Sequence, residues 1–237
     1  LFHRKNCLHA FRLLVVCLLL LVAIGACAGG TPQASPEMQT VAAQGSNPTP
    51  TITLAFLGDV MVGRGVHPSS STFAYLAPYL QSADLALANL ESPLTNTTPP
   101  TTSPYSLCAE PGNTDYLADA GFDLFSLANN HHLDCGTEGL AETQSVLVGA
   151  GLDFIGPGAD PVFRKEGGLQ LAFLAFDATG DFDQENAASA VRSARDTGAI
   201  VLISIHWGAE YQSGASSEQK QIASRLAICF CSEEAPD

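Results

Sequence analysis

Residues 122–136, FDLFSLANNHHLDCG, constrain the fold of this chain more than any other stretch. The first seven, Phe122 to Ala128, are an apolar run of strand length. The run then breaks into Asn129, Asn130, His131, His132 and Asp134, closed by Gly136. A buried strand that releases amides, imidazoles and a carboxylate at its C-terminal end is how open α/β sheets build sites. Such side chains bind a metal ion or polarise an ester. The competing reading is a polar loop that turns the chain into a helix starting near Thr137.

Similar apolar runs occur along the chain. Thr51–Leu57, Asp84–Leu90, Leu152–Ile155, Leu169–Phe176 and Ala199–Ile205 read as strands, with Phe163–Gly168 as a hairpin arm. Between them Thr72–Gln81, Asn113–Ala120, Glu138–Ala150, Glu185–Thr197 and Ser216–Ala227 read as helices. Pro78 is a weakness in the first of these, because an interior proline removes a helix hydrogen bond. Ser216 and Gln219 form a Ser-x-x-Gln box at the start of the last. Apolar strands alternating with helices predict an α/β fold, with ligands gathered at the strand C-termini.

Further polar groups sit at those ends. Asp59 follows the first strand, where a carboxylate suits a hard metal ion or caps the next turn. The GxxxxGK[ST] spacing of a phosphate loop is absent there. Asn89 and Glu91 alternate onto one face of an extended chain. They face the same site as Asp59 or stand solvated at an edge turn. His206 closes the run Ala199–Ile205. A lone strand-end histidine is commonly structural, but this one joins Asp59, Asn89, Glu91, Asn130 and His131 at the same strand ends.

The N-terminus reads as a targeting segment. His3, Arg4, Lys5 and Arg12 precede an apolar core from Leu13 to Ile24, which is short for a membrane span. Ile24-Gly25-Ala26-Cys27 looks like a bacterial lipobox, which implies cleavage before Cys27 and a lipid on its sulfur. A plain secretory signal or an uncleaved anchor is the alternative. Ala28–Pro50 is rich in Gly, Pro, Ser, Thr, Gln and Ala and reads as a flexible tether. The expected plan is a lipoprotein signal (1–27), a linker (28–50), a domain (51–227) and an aberrant tail (228–237). With Arg4, Lys5 and Arg12 in the leader, 7 basic residues remain after Cys27 against all 24 acidic ones, a net of −17. That balance argues against a nucleic-acid surface and disfavours a polyanion unless a metal or a local cluster offsets the repulsion. In an exported protein Cys108 and Cys135 could pair, whereas Cys229 and Cys231 lack the spacing of a zinc site.

Four motifs occur in order: GDVMVGR (58–64), ANLESPL (88–94), ANNHHLDCG (128–136) and HWGAEY (206–211). Together they resemble the bacterial capsule-synthesis CapA family, also called the poly-γ-glutamate synthesis PgsA-like family, across the expected domain. The resemblance implies a layered α/β sandwich of the calcineurin-like metallophosphoesterase type, with a dinuclear metal cleft at the strand ends. It implies that Asp59, Asn89, Glu91, Asn130 and His206 are metal ligands, with Glu91 in the bridging position. His131 would contact a phosphate or act as an acid. Mn, Fe or Zn suits such a set, and two ions would bind an anionic group and activate water.

The implied role is synthesis, transfer or anchoring of an extracellular anionic polymer such as poly-γ-glutamate. The polymer or its synthase subunits would be the partners, and the lipid anchor would hold the protein on the extracellular face of the cell membrane. Two features depart from the pattern. Phosphoesterases have Asp-x-His in the first motif, whereas here Asp59 is followed by Val60 and Met61, so Met61 stands where the histidine would. The family continues into a further strand and a Gly-x-His-x-His loop, whereas this sequence reads ICFCSEEAPD from Ile228 and has no histidine after His206. The expectation is therefore a truncated or frameshifted end and a fold missing its C-terminal part. The rival expectations are a non-catalytic scaffold subunit of a polymer synthase and an inactive truncated product.

Overall fold

The computed structural model describes residues 51–99, 105–209 and 211–228. The expected leader with Cys27, the linker and the tail beyond Ile228 lie outside these residues. The element order is β1 (Leu54–Val60), α1 (Ala77–Ser82), β2 (Leu85–Leu90), α2 (Thr114–Ala120), β3 (Leu124–Ser126), α3 (Gly136–Gly149), β4 (Asp153–Ile155), β5 (Val162–Glu166), β6 (Leu169–Ala178), α4 (Gln184–Arg195), β7 (Ile200–Trp207) and α5 (Ser217–Ile228).

These elements form two sheets. The first is fully parallel in the order β1-β2-β3-β4, the arrangement that βαβ crossovers produce. The second runs β5-β6-β7, an antiparallel hairpin followed by a parallel pair. Strand alternation assigns the faces. In β2, Ala86, Ala88 and Leu90 pack with Leu80, Leu117 and Leu147 of the first three helices. The alternate residues Leu85 and Leu87 pack with Leu171 and Phe173 of the second sheet. On the far face of that sheet, Ala172, Leu174 and Val201 meet Val191 of α4 and Ile222 and Leu226 of α5. The result is helices, sheet, sheet, helices: the expected layered α/β sandwich, with its central apolar layer between the sheets.

Two elements differ from the sequence reading. The first helix begins at Ala77 rather than Thr72, with Pro78 in its first turn, where its missing N–H is not needed. The first strand runs to Val60 rather than ending at Leu57, so Asp59 lies within it. The box before α5 forms as read: Gln219 N–H donates to Ser216 Oγ (3.1 Å) and Ser216 N–H donates to Gln219 Oε1 (2.7 Å).

One loop is pinned from α3. Glu142 accepts from Thr95 Oγ1, from the Asn96 backbone N–H (3.1 Å) and Nδ2 (3.3 Å), and from Thr97 Oγ1 (3.4 Å). These donors, Thr95 first, hold its carboxyl below the ordinary glutamate range. A lowered carboxyl stabilises the fold at pH values above its ordinary range, and that contribution is lost as pH falls through the lower folded value. Glu142→Gln is therefore expected to cost stability at neutral pH, with the difference from the parent chain shrinking below pH 4.5. Thermal melts of both chains from pH 7 to pH 3 check this; a pH-independent difference would contradict it.

Candidate metal centre

The central layer is apolar at one end and polar at the other, because the alternation that buries Leu85 and Leu87 carries on to Asn89. Asp59 reaches the same face through an irregularity. Leu54 and Phe56 pair with Leu85 and Leu87, so strict alternation would turn Asp59 toward the helices. A register shift between Phe56 and Asp59 instead sets Asp59 opposite Asn89. Glu91 lies one residue past β2, its N–H donating to Val60 O (3.1 Å). From the second sheet His206 on β7 completes the group.

Asp59, Glu91 and His206 each offer one ligand atom within 4.8 Å of the others. His206 Nδ1 lies 3.6 Å from Asp59 Oδ1, and its Nε2 lies 3.3 Å from Glu91 Oε1. The Glu91 side chain is 10% exposed and that of Asp59 48%, so the cluster has a closed side and an open side. Two carboxylates this close repel, and a divalent cation relieves that repulsion. Two carboxylate oxygens and an imidazole nitrogen are a donor set that Mn, Fe or Zn accepts. The residues present therefore fit a divalent metal ion.

Asn129 sets the orientation of this cluster. Its side chain is fully buried. Its Nδ2 donates to Leu90 O (2.9 Å) and Asn89 Oδ1 (3.1 Å), while its Oδ1 accepts from His131 N–H (3.0 Å). With Asn89 Oδ1 thus engaged, Asn89 Nδ2 points into the cluster. It donates to Asp59 Oδ1 (2.7 Å) and lies 3.2 Å from His206 Nδ1. In this arrangement the Asn89 amide nitrogen faces Asp59 and His206. Asn130 Oδ1 lies 2.9 Å from His206 Nε2, so Asn130 borders the cluster with its oxygen inward.

His131 is held otherwise. Its Nδ1 lies 2.9 Å from Asp134 Oδ2, which also accepts from Leu107 N–H (2.8 Å). A carboxylate partner places the ring proton on Nδ1 and leaves Nε2 clear of that bond. Cys135, next in sequence, is joined to Cys108 by a disulfide with Cα atoms 6.1 Å apart. That pairing matches the sequence reading. Three contributors went unassigned there: Asn129, Asp134 and the buried Ser92, whose Oγ accepts from Val62 N–H (3.0 Å) and Gly63 N–H (3.1 Å). Their only signal was position, inside or beside the motifs.

The family model for the bacterial capsule synthesis protein PGA_cap matches residues 53–229. The PGA biosynthesis protein CapA of Bacillus subtilis is 26% identical over 205 residues, 74% of this chain and 54% of its own length. The capsule biosynthesis protein CapA of Bacillus anthracis is 25% identical over 74% of this chain and 51% of its own. A probable polyglutamine synthesis accessory protein of Mycobacterium tuberculosis is 24% identical over 61% of this chain and 47% of its own. The chain thus spans about half the length of the curated relatives it matches. The match covers both sheets and every residue of the strand-end cluster, and the chain belongs to the PGA_cap family of bacterial capsule synthesis proteins.

Proposed function

We propose that this chain is an exported, lipid-anchored accessory protein in the making of an anionic capsule polymer, and that its strand-end cluster binds a divalent metal ion. The carrying observation is the convergence of Asp59, Glu91 and His206 from both sheets onto one point. A divalent ion held there supplies Lewis-acid polarisation of a phosphoryl or acyl oxygen and acidifies water. Asp59 and Glu91 supply its countercharge, and Asn89 keeps Asp59 and His206 in register. Asp134 holds the His131 ring through Nδ1, so that Nε2 can take a proton from an attacking water and, as imidazolium, pass it to a leaving group. The proposed chemistry is hydrolytic or transfer attack at a phosphoester or acyl centre. Export is supported by the lipobox-like Ile24–Cys27 and by the Cys108–Cys135 disulfide, which suits an oxidising compartment.

Elemental analysis of the purified chain tests this. Near-stoichiometric Mn, Fe or Zn is expected, and Asp59→Ala and His206→Ala are each expected to lose it. A second reading, a non-catalytic scaffold for a polymer synthase, is favoured by Met61 standing where the histidine of Asp-x-His would supply another ligand. A folded chain that takes up no metal would sink the first reading and favour the second.

A further inference from the structure

The loop that leaves β1 just past Asp59 is built rigidly around a cation that has no partner among the described residues. Val62 and Gly63 donate their N–H groups to Ser92 Oγ, and Val62 O accepts from Asn113 Nδ2 (3.2 Å). Gly63 packs so tightly that a Cβ there would collide with the Leu107 carbonyl. Val66 N–H then donates to Gly63 O (3.2 Å), closing a turn whose two central residues are left-handed: Arg64 (φ 49°) and Gly65 (φ 80°). Glycine or asparagine fits the first central position of such a turn at lower cost than arginine. A side chain kept at an unfavourable backbone position points to a role for that side chain.

The pairing of the other arginines sharpens this. Among the described residues Arg164 pairs with Asp153, Arg195 with Asp196 and Arg225 with Glu185, and Arg192 is also engaged. Arg64 has no hydrogen bond or ion pair to any described residue, in a chain whose net charge is −14. It lines an open cleft of about 650 Å³ together with His67, Asn96, Thr98, Ser106 and one carboxylate, Glu110. The Glu142 contacts pin the 95–97 wall of that cleft, and Ser92 pins the 62–63 wall.

We infer that this cleft is an anion subsite in which Arg64 receives a side-chain carboxylate of an acidic polymer threaded past the metal centre. The guanidinium fork matches a carboxylate with two parallel hydrogen bonds, which an ammonium cannot reproduce. The Thr98 hydroxyl and the second N–H of the Asn96 amide add neutral donors without adding repulsion. The subsite shares its scaffold with the metal centre: β1 carries Asp59 and the loop that follows it Arg64, and the segment after β2 carries Glu91 and then Ser92. The inference rests on the acidic-polymer part of the proposed function and is independent of the metal part.

The test is binding of a labelled γ-linked glutamate oligomer to the full chain in chelator, followed by fluorescence anisotropy. Arg64→Gly is the informative variant, because it removes the guanidinium and relaxes the turn. It is expected to keep or raise the melting temperature while weakening the oligomer about tenfold or more. Arg64→Lys is expected to bind between the two, and Glu110→Gln to bind more tightly than the parent. Parental affinity in Arg64→Gly would overturn the inference whatever the metal content. Displacement of the oligomer by inorganic phosphate at an equal concentration of anionic groups would also overturn the polymer assignment, leaving a simple oxyanion site. Arg64-dependent binding that persists in Asp59→Ala would uphold the subsite even if the metal reading fails.

Discussion

Asn129→Ala is expected to be the most damaging single substitution at the site, although Asn129 touches neither a metal position nor solvent. Its amide bridges three groups: Leu90 O, Asn89 Oδ1 and His131 N–H. Truncation strands all three in a region where water does not replace them, since Asn129 is fully buried. Each unsatisfied buried group costs about 1–3 kcal/mol, and the losses overlap because the groups form one network, so about 3–5 kcal/mol in total is expected. A second consequence follows from geometry. Once Asn89 Oδ1 loses its donor, the Asn89 amide can turn over, which brings an oxygen rather than an N–H against Asp59 and His206. Metal affinity should then fall by about 10- to 100-fold, the usual effect of losing an orienting partner. Asn129→Asp separates the two effects. It keeps an acceptor for His131 N–H but sets carboxylate oxygens against Leu90 O and Asn89 Oδ1, so it should fail at least as badly. Urea unfolding and metal titration read the two effects separately. Parental affinity in either variant would show that Asn89 is not oriented through Asn129.

The layer plan was legible in the sequence wherever alternation held without interruption. Leu85, Leu87 and Asn89 share a face in the structure as their spacing requires, and the Ser216–Gln219 box stands where its pattern placed it. Asp59 was found by its chemistry and not by its spacing. A period of two counted from Leu54 assigns it to the wrong face, and only the bulge corrects this. The division into two sheets was equally invisible to periodicity, because Leu169–Phe176 and Asp84–Leu90 are apolar in the same way although they lie in different sheets. That layering came from motif resemblance. The Asn129–Asn130 pair shows the limit most clearly. Two identical neighbours divide the work, one as a buried keystone and one at the rim of the ligand cluster. Only the backbone path out of β3 decides which is which.

Opening the Cys108–Cys135 disulfide is expected to produce the largest loss of stability of any covalent change in the domain. The bridge closes a loop of sequence separation 27, for which chain-entropy arguments give about 3–4 kcal/mol. In a domain of this size that corresponds to a fall in melting temperature of roughly 10 °C. The bridge does more than restrict the unfolded chain, because it runs parallel to the hydrogen bond from Leu107 N–H to Asp134. Both links join the 107–108 segment to the 134–135 segment, and Asp134 in turn holds His131 Nδ1. Reduction should therefore loosen His131 while leaving Asp59, Asn89, Glu91 and His206 tied through β1, β2 and β7. The expected signature is a split one. Cys108→Ser with Cys135→Ser, or the parent chain in a reductant, melts lower and loses any His131-dependent proton transfer. Metal taken up at the proposed Asp59, Glu91 and His206 site is expected to stay within a few-fold of the parental level. Metal lost together with stability would mean that the turn after β3 supports the ligands more directly than its hydrogen bonds indicate. An unchanged melting temperature would mean that the two cysteines are not paired in solution. The split outcome alone assigns the bridge to the His131 side of the site, as the Asp134–His131 geometry requires.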